Sequence, residues 1–368
     1  MKSQLLIFSF VIVLFSCKKS EKEPETQPVE TTVSTKVVNF KTLKGLENLL
    51  ADTESTELMV TRSITLRDPL KVELSGKSEI RLINFTLKTI KNIHVFMKLA
   101  GDEERVALLT IDSITPLLTF KLPLSVVEKE EQLYTESGKL VTIAKQTDLS
   151  KAVFTVLVDD PFYKTLNAIK IPWKLSFRKS QEDAGNWYRM NPLHARESLV
   201  MFTNLAYLFS QPGTETAFMA YEGLTANDGT LLSKERKEAV YRDLLTRANV
   251  ETGLVRNVSG LGGGNLVAGA EYVLMRHYNK NAEEVIVHEF GHALGFSHSS
   301  NMTYGSNGKA FHLAMRPLIN KLLTDREYPY WDYRMLNTYN KYIDMTGDYL
   351  REGKNPDGSR HNATKYEY

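Results

Sequence analysis

The spacing of apolar residues changes along the chain and predicts strands in the first half and helices in the second. Between residues 37 and 150, apolar and polar positions alternate, and this period of two places one face of a strand in a core. The clearest runs are Val72 to Leu74, Ile83 to Leu87, Val106 to Ile111 and Leu140 to Ile143. Several short strands separated by turn-like stretches predict an N-terminal β-sandwich-like domain.

The limit of that first domain is open within 150–192. Ala152 to Val158 and Ile171 to Phe177 each have the pattern of a strand, and either could close the first domain or open the second. From about Pro192 the apolar period becomes three to four, which predicts a helix with one buried face. The residues on that face are Leu199, Phe202, Leu205 and Phe209.

Four further elements precede the segment that carries the chemistry. Thr216 to Tyr221 has the pattern of a short strand, and a helix is expected from an N-cap at Ser233 to Ala248. The glycine-rich run 259–264 predicts a mobile turn, followed by an edge strand within the apolar stretch 265–278. These glycines do not form a phosphate loop, because no Gly-Lys-Ser/Thr follows them and no helix begins there.

Strands followed by helices predict the α+β fold class. The chain of 368 residues is longer than one core usually fills, so we expect two folded domains, over 37–150 and 151–368. Its composition, 42% apolar and 24% charged, is that of a globular protein and argues against a disordered or fibrous one. A net charge of +2, with no dense basic stripe, argues against nucleic acid as a partner.

The N-terminus resembles an export signal. Lys2 precedes an apolar run from Leu5 to Phe15 that is too short to cross a bilayer as a helix. The sequence Leu14-Phe15-Ser16-Cys17 resembles the lipobox of bacterial lipoproteins. That resemblance implies a signal peptide over 1–16 and a lipid on Cys17.

Residues 17–36 are rich in Lys, Glu, Pro, Thr and Ser and predict a flexible tether behind that lipid. The expected location is exported and membrane-anchored. Lys18, in place of an aspartate, points to the outer membrane, facing either the periplasm or the outside. The alternatives are an ordinary signal peptide with a stray cysteine, or an uncleaved anchor. We favour the lipoprotein interpretation because Cys17 is the only cysteine in the chain, which also means that no internal disulfide can form.

One helix is expected to carry the chemistry. Asn281 as N-cap and Glu284 three residues later have the pattern of a capping box, which predicts a helix from about Ala282 through His292. Its buried stripe would be Ile286, Phe290 and Ala293.

The segment from His288 to His298 has the spacing of a catalytic zinc site. His288 and His292 are four residues apart, so both imidazoles project from one face of the helix toward one ion. Gly295 can leave the helix in a left-handed conformation and return His298 as a third nitrogen ligand. Three histidines leave the fourth position of a tetrahedral zinc open for water, as catalytic sites do.

Glu289 is the candidate general base. Zinc lowers the pKa of a bound water to about 7, so that a neighbouring carboxylate can take its proton at neutral pH. Hydroxide would attack a polarised carbonyl, and Glu289 would pass the proton to the leaving amine. The alternatives are a core helix with surface histidines or a structural metal site. A core helix with surface histidines would not explain the presence of Glu289 and Gly295. A structural metal site would require a fourth protein ligand.

The spacing His-Glu-x-x-His-x-x-Gly-x-x-His resembles the signature of the metzincin clan of zinc peptidases. That clan also has a methionine in a tight turn beneath the metal, and Ser300-Asn301-Met302-Thr303-Tyr304 is similar to the form in astacins and serralysins. The resemblance implies Met302 for the turn and Tyr304 for stabilising the transition state. Met302 follows His298 more closely than in most metzincins, so Met315 is the alternative. With the lipobox, the arrangement most resembles the metzincin lipoproteins of Bacteroidetes.

The resemblance implies a second domain with a twisted sheet, a backing helix, an active-site helix and a helical C-terminal part. Its expected activity is zinc-dependent endopeptidase, acting on protein or glycoprotein outside the cytoplasm. Two alternatives remain open: an inactive binding lipoprotein, and a hydrolase of a non-peptide amide. The first domain would be a spacer, a shield over the cleft or a binding module.

Two sets of side chains have no clear place in this site. The aromatic residues from Tyr328 to Tyr349 could line a substrate wall, but packing of C-terminal helices is favoured. The remaining histidines have no ligand spacing and are expected on the surface or in hydrogen-bonded core positions. They are His94, His194, His277, His312 and His361.

Overall fold

The computed structural model describes residues 36–38, 46–180, 184–274, 280–304 and 308–331. The expectations for the signal peptide, for Cys17, for nearly all of the tether and for the aromatic residues beyond Trp331 lie outside these ranges, as do His277 and His361. In the part described, no helix is both long and apolar enough to span a membrane.

The first half of the described chain consists mainly of strands. They are β1 Lys36–Val38, β2 Glu47–Asn48, β3 Ser63–Thr65, β4 Leu70–Ser75, β5 Glu79–Asn84, β6 Ile90–Lys98, β7 Val106–Ile114, β8 Leu118–Pro123, β9 Glu131–Tyr134, β10 Leu140–Ile143 and β11 Val153–Val158. Two sheets of four strands have the orders β1-β7-β6-β11 and β2-β8-β5-β4, and β9 pairs with β10 as a hairpin. The short helices are α1 Thr56–Met59 and α2 Ser125–Glu128. The predicted run of strands is confirmed, whereas the sandwich-like arrangement and the domain limits stay predictions.

A third sheet carries the second half of the chain. Its strands are β12 Lys174–Phe177, β13 Trp187–Tyr188, β14 Asn249–Thr252, β15 Leu254–Val255, β16 Gly260–Gly263 and β17 Leu266–Ala270. The order is β13-β15-β17-β14-β12-β3, with β12, β14 and β17 parallel, and β16 pairs antiparallel with β17. Because β11 pairs with β6 and β12 pairs with β14, the chain changes sheet within the interval left open for the boundary.

Helices cover this sheet and complete the mixed α and β composition expected for the α+β class. They are α3 Pro161–Asn167, α4 Pro192–Ser210, α5 Pro212–Ala220, α6 Lys234–Thr246, α7 Glu271–Leu274, α8 Lys280–Ala293 and α9 Phe311–Thr324. The side chain of Asn191 caps α4, Pro192 opens it, and its predicted apolar face is buried. Ser233 caps α6 as expected, by accepting a hydrogen bond from the backbone N–H of Arg236 at 3.2 Å.

Aromatic packing fixes α8 between the sheet and α4. The ring of Phe290 stacks on Trp173 with centroids 4.7 Å apart and meets the rings of Phe202 and Phe209 edge-on. Ile286 and Phe290 are fully buried and Ala293 nearly so, which confirms the predicted stripe. The opposite face of α8 is therefore the one that can present polar side chains.

The strand predicted at Thr216 to Tyr221 is wrong. These residues lie in α5, which begins at Pro212 directly after α4 ends, and the hydroxyl of Thr214 donates to the carbonyl of Leu208. Phe218 is buried between Tyr241 and Phe311. The packing of the Phe218 ring in the core and the start of a helix at Pro212 outweigh the local β propensity of these residues.

The structure of the glycine-rich run also differs from the one predicted. Gly260 to Gly263 form the paired strand β16 rather than a mobile turn. The strand expected within 265–278 includes β17, which lies inside the sheet, with β14 and β15 on one side and β16 on the other. In the described chain β16 pairs only with β17, so β16, and not β17, is the edge strand on that side of the sheet.

The capping box predicted for α8 is wrong as well. Asn281 lies inside the helix, which already includes Lys280. Glu284 does not return to the helix start, because both of its oxygens bind the guanidinium of Arg316 on α9, at 2.5 and 2.8 Å. A bidentate ion pair with arginine stabilises this carboxylate more than a hydrogen bond from a backbone N–H does.

Candidate metal centre

Helix α8 places two histidines side by side. His288 and His292 are one turn apart, and their ring centroids are 5.2 Å from each other. Side chains four residues apart on a helix share a face, which is why this spacing brings both rings to one point.

The end of α8 returns a third histidine to the same point. Gly295 adopts a left-handed φ of +89°, its N–H donates to the carbonyl of His292 at 2.9 Å, and the N–H of Phe296 donates to the carbonyl of Gly291 at 3.1 Å. This pair of bonds is a Schellman motif, which reverses the chain after a helix. After the reversal, Nε2 of His298 lies 3.0 Å from Nε2 of His292.

The three histidines could hold a metal ion. His288, His292 and His298 each offer one ligand nitrogen, and these nitrogens lie within 4.8 Å of one another. Imidazole nitrogens suit zinc and several other transition metals, so the donor set fits the ion expected from the sequence.

Backbone carbonyls fix which ring nitrogen faces the centre. Nδ1 of His288 donates to the carbonyl of Thr303, and Nδ1 of His292 donates to the carbonyl of Phe296 at 2.9 Å. A carbonyl can only accept, so each Nδ1 carries the proton and each Nε2 keeps its lone pair for a metal. Burial lowers the pKa of His288 to about 4 and also lowers the pKa of His292, so both rings are neutral at pH 7.

Glu289 lies beside the three nitrogens without joining them. Its Oε1 is 3.9 Å from Nε2 of His288, and the residue is only 5% exposed. Burial raises the pKa of Glu289 to about 8, which gives the carboxylate a strong affinity for a proton. A cation held by the three histidines would stabilise the carboxylate and lower that pKa.

Strand β16 packs directly against Glu289, a contact that the sequence pattern did not predict. A Cβ added at Gly260 would lie 2.5 Å from Oε1 of Glu289, and one added at Gly262 would collide with the carbonyl of Glu289. Only glycine permits this approach. The two glycines are two positions apart and so lie on the same face of the strand. This spacing was a signal in the sequence that one face of the strand packs closely against a neighbouring element.

The turn after His298 contacts α8 and two of the three rings. Met302 is fully buried, and a Cβ added at Gly291 would collide with its carbonyl. Tyr304 is 58% exposed, and its ring centroid lies 4.6 Å from that of His288 and 4.5 Å from that of His298. Met315 is equally buried but lies on α9. The roles of Met302 and Tyr304 stay predictions; Tyr304 lies next to two of the histidines, and the carbonyl of Met302 lies against Gly291 of α8.

A carboxylate in the first turn of α8 lies in the core. Glu283 is fully buried and accepts a hydrogen bond at 2.5 Å from the hydroxyl of Tyr328. Burial raises the pKa of Glu283 well above its usual value. Tyr328 and Tyr330 are both buried, so for these two aromatic residues the packing interpretation is confirmed.

The other described histidines do not join the group of three. Nδ1 of His194 accepts from the N–H of Asn191, so its Nε2 donates to Oε1 of Glu271, at 3.0 Å inside the core. His94 pairs with the hydroxyl of Thr110 on β7, at 3.1 Å. Both are hydrogen-bonded positions, as expected. His312 lies on α9 and is partly buried.

Comparison with known proteins gives little beyond this geometry. No protein-family model and no curated protein matches the chain. A solved structure of a metallopeptidase from Bacteroides thetaiotaomicron matches 76% of this chain and 47% of that one, with 9% identity and a TM-score of 0.22. The chain thus spans about half the length of that protein. A likeness of this size supports neither fold nor function, and the proposal below depends on the site.

Proposed function

We propose that this protein is a zinc-dependent metalloendopeptidase of the metzincin type. The observation that carries the proposal is the convergence of three imidazoles next to a buried carboxylate that stays outside the group of three. A structural zinc site would be closed by a fourth protein ligand. A site that only binds metal also has no use for a buried acid beside it.

Zinc held by His288, His292 and His298 would supply a Lewis acid that polarises a substrate carbonyl and acidifies water. Glu289 accepts the proton of the attacking water and returns it to the leaving amine. Its Oε1 lies 3.9 Å from Nε2 of His288 in a buried position, which places the carboxylate where it can exchange that proton. Tyr304 is exposed beside the rings, where its hydroxyl can donate to the oxyanion that develops on the substrate.

The free edge of β16 is the proposed binding site for the substrate backbone. In the described chain β16 pairs only with β17, and it runs directly past Glu289. An extended peptide can add to such an edge as a further strand, which would bring one of its carbonyls to the three histidines. The expected substrates are proteins or glycoproteins outside the cytoplasm, reached by an enzyme anchored to the outer membrane through a lipid on Cys17.

The test uses a soluble form that begins after Cys17, beside Glu289→Gln and the control Glu283→Gln. The control changes another buried glutamate of α8 that lies outside the site. We expect wild type and control to bind one zinc and to cleave unfolded protein. Glu289→Gln should bind zinc equally but lose about 10²- to 10⁴-fold in kcat, the usual contribution of a general base.

Three results would contradict the proposal. A wild type that holds no zinc would rule out the metal site. A wild type that holds zinc but cleaves none of a wide panel of unfolded proteins and glycoproteins would favour a binding protein. Cleavage of non-peptide amides alone would identify a hydrolase of another class.

A further inference from the structure

The third ligand lies on a segment that no helix or strand holds in place. His298 is exposed and follows the end of α8, within residues 295–301, here called the ligand segment. A metal ligand must stay close to its bound geometry, so a loop ligand needs support from its neighbours. The Schellman motif fixes where the ligand segment begins, but it does not reach His298.

A tight turn from another part of the chain runs beside this segment. In this turn, residues 223–232, the N–H of Leu232 donates to the carbonyl of Leu224 at 2.8 Å, and both leucines are buried in the core. Near its tip, the N–H of Ala226 donates to the carbonyl of Thr230 at 2.8 Å, and Gly229 adopts a φ of +83°. The 223–232 turn is therefore anchored at its base and closed at its tip.

Asn227 of this turn contacts the ligand segment on both sides of His298. Its side-chain Nδ2 donates to the carbonyl of Gly295 at 3.1 Å, and its Oδ1 accepts from the N–H of Ser297 at 2.8 Å and from the Ser297 hydroxyl at 3.2 Å. Its backbone carbonyl accepts from the hydroxyl of Ser299 at 2.7 Å. These partners flank the third ligand at positions 295, 297 and 299.

A second set of bonds holds the end of the ligand segment. The N–H of Thr225 donates to Oδ1 of Asn301 at 2.7 Å, and the N–H of Asn301 donates to the hydroxyl of Thr225 at 3.1 Å. The hydroxyl of Ser300 donates to the carbonyl of Thr225 at 2.6 Å. The ligand segment is thus bound to the turn along its length, with Asn227 next to the ligand.

We propose that Asn227 is a positioning residue that holds His298 in its metal-binding place. The assignment rests on the proposed metal site and adds a residue to it. An amide is suited to the task because one short side chain supplies both a donor and an acceptor. Aspartate would keep the acceptor for Ser297 and lose the donor for the carbonyl of Gly295. Supporting residues of this kind change metal affinity by about 10- to 100-fold when removed.

The test measures metal binding rather than turnover, on the soluble form that begins after Cys17. The variants are Asn227→Ala, Asn227→Asp and, as reference for a missing ligand, His298→Ala. Thr230→Ala is the matched control, because its hydroxyl bonds only to Asp228 within the same turn. Zinc affinity is read by competition with a chromogenic chelator, and ligand geometry by the visible spectrum of the cobalt-substituted protein.

We expect Asn227→Ala to bind zinc about 10- to 100-fold more weakly and to shift the cobalt spectrum toward that of His298→Ala. Asn227→Asp should fall between wild type and Asn227→Ala, and Thr230→Ala should match wild type. If Asn227→Ala does not fold, as judged by far-ultraviolet circular dichroism, Asn227→Asp carries the comparison.

Two outcomes would overturn this assignment while leaving the metal site intact. In the first, Asn227→Ala has the affinity and spectrum of wild type. In the second, Thr230→Ala weakens binding as much as Asn227→Ala does, which would assign the effect to the turn as a whole. A different outcome, in which His298→Ala binds zinc as well as wild type, would instead reject the proposed ligand set.

Discussion

The carbonyl of Thr303 accepts the hydrogen bond of Nδ1 of His288, which joins the turn after His298 to the first histidine of the group. The turn can come this close because Gly291 has no side chain where the carbonyl of Met302 lies. One glycine of the helix therefore helps to fix the tautomer of a histidine three residues before it.

A methyl group at Gly291 should disturb this arrangement. Alanine normally stabilises a helix interior by about 1 kcal/mol relative to glycine. In Gly291→Ala the added Cβ collides with the carbonyl of Met302, so we expect a loss of about 1–3 kcal/mol in the free energy of unfolding. Zinc affinity should fall as well, because the carbonyl of Thr303 moves with the turn.

Urea unfolding of the metal-free protein measures the first effect. Gly213→Ala is the matched control, because that helical glycine faces only the end of the Leu318 side chain, 3.2 Å from an added Cβ, which can shift. Equal stabilisation of both variants would show that the contact at Gly291 is unimportant.

The buried carboxyl of Glu283 should make stability depend on pH. Its pKa is raised in the folded protein, so above the ordinary glutamate pKa the unfolded chain loses a proton that the folded chain keeps. The contribution of this group is complete at low pH and is lost as the pH rises toward the folded pKa. The glutamine of Glu283→Gln does not titrate. The free energy of unfolding of this variant should therefore rise relative to wild type, by up to about 1.4 kcal/mol per pH unit in that range.

Urea unfolding of both proteins between pH 4 and pH 8 measures this difference. Tyr328→Phe is a useful companion, because the Tyr328 hydroxyl lowers the pKa of Glu283 and its removal should widen the pH range of the effect. Unfolding free energies of wild type and Glu283→Gln that run parallel over the whole range would contradict the prediction.

The local spacing of residues was enough to predict that His288, His292 and His298 converge, and to predict the turn that brings them together. His288 and His292 share a face because of the helical period, and Gly295 is a short-range signal for the end of a helix. The run of strands before residue 160 and the buried stripe of α8 could be predicted for the same reason. Each of these features depends on residues within a few positions of one another.

Features that depend on distant partners were predicted wrongly or not at all. Glu284 fits a capping box locally, but in the folded chain it faces Arg316, which follows 32 positions later. Asn227-Asp228-Gly229 signals a turn, yet nothing local indicates that the turn binds the ligand segment. The glycines of β16 indicated flexibility, whereas in the structure they permit contact with Glu289.

The contact between β16 and Glu289 leads to a prediction that distinguishes an effect on the proposed general base from an effect on zinc binding. In Gly260→Ala the new Cβ would lie 2.5 Å from Oε1 of Glu289 and displace the carboxylate, while the three histidines keep their places. A misplacement of about 1 Å can lower a rate by about 10²-fold, so kcat should fall by that order with zinc binding unchanged. Peptide cleavage and zinc titration of the same preparation measure the two effects.

Gly269→Ala on the paired strand β17 is the control for Gly260→Ala. Gly269 pairs directly with Gly260, but its added Cβ would meet the end of the Ile286 side chain, at 3.1 Å, rather than the carboxylate. If both variants lose the same activity, the loss comes from strain in the sheet. The displacement of Glu289 would then not be its cause.

Arg247 should control how extended substrates bind. Its guanidinium donates to the carbonyl of Ala293 at the end of α8, at 2.8 Å, and to the carbonyl of Gly264 in the turn between β16 and β17, at 2.5 Å. One side chain thus holds the edge strand against the helix that carries two of the ligands. A hydrogen bond from a charged group is worth about 1.5–3 kcal/mol, so its loss should loosen the edge strand.

Arg247→Met keeps the aliphatic part of the side chain and removes both bonds, together with those to Asn265 and Asp243. We expect KM for an extended peptide to rise about tenfold or more, with a smaller change in kcat and none in zinc affinity. Arg242→Ala, an exposed arginine on the same helix, should behave as wild type. If Arg247→Met lowers kcat and leaves KM unchanged, Arg247 acts on the catalytic groups and the edge of β16 is not where the substrate backbone binds.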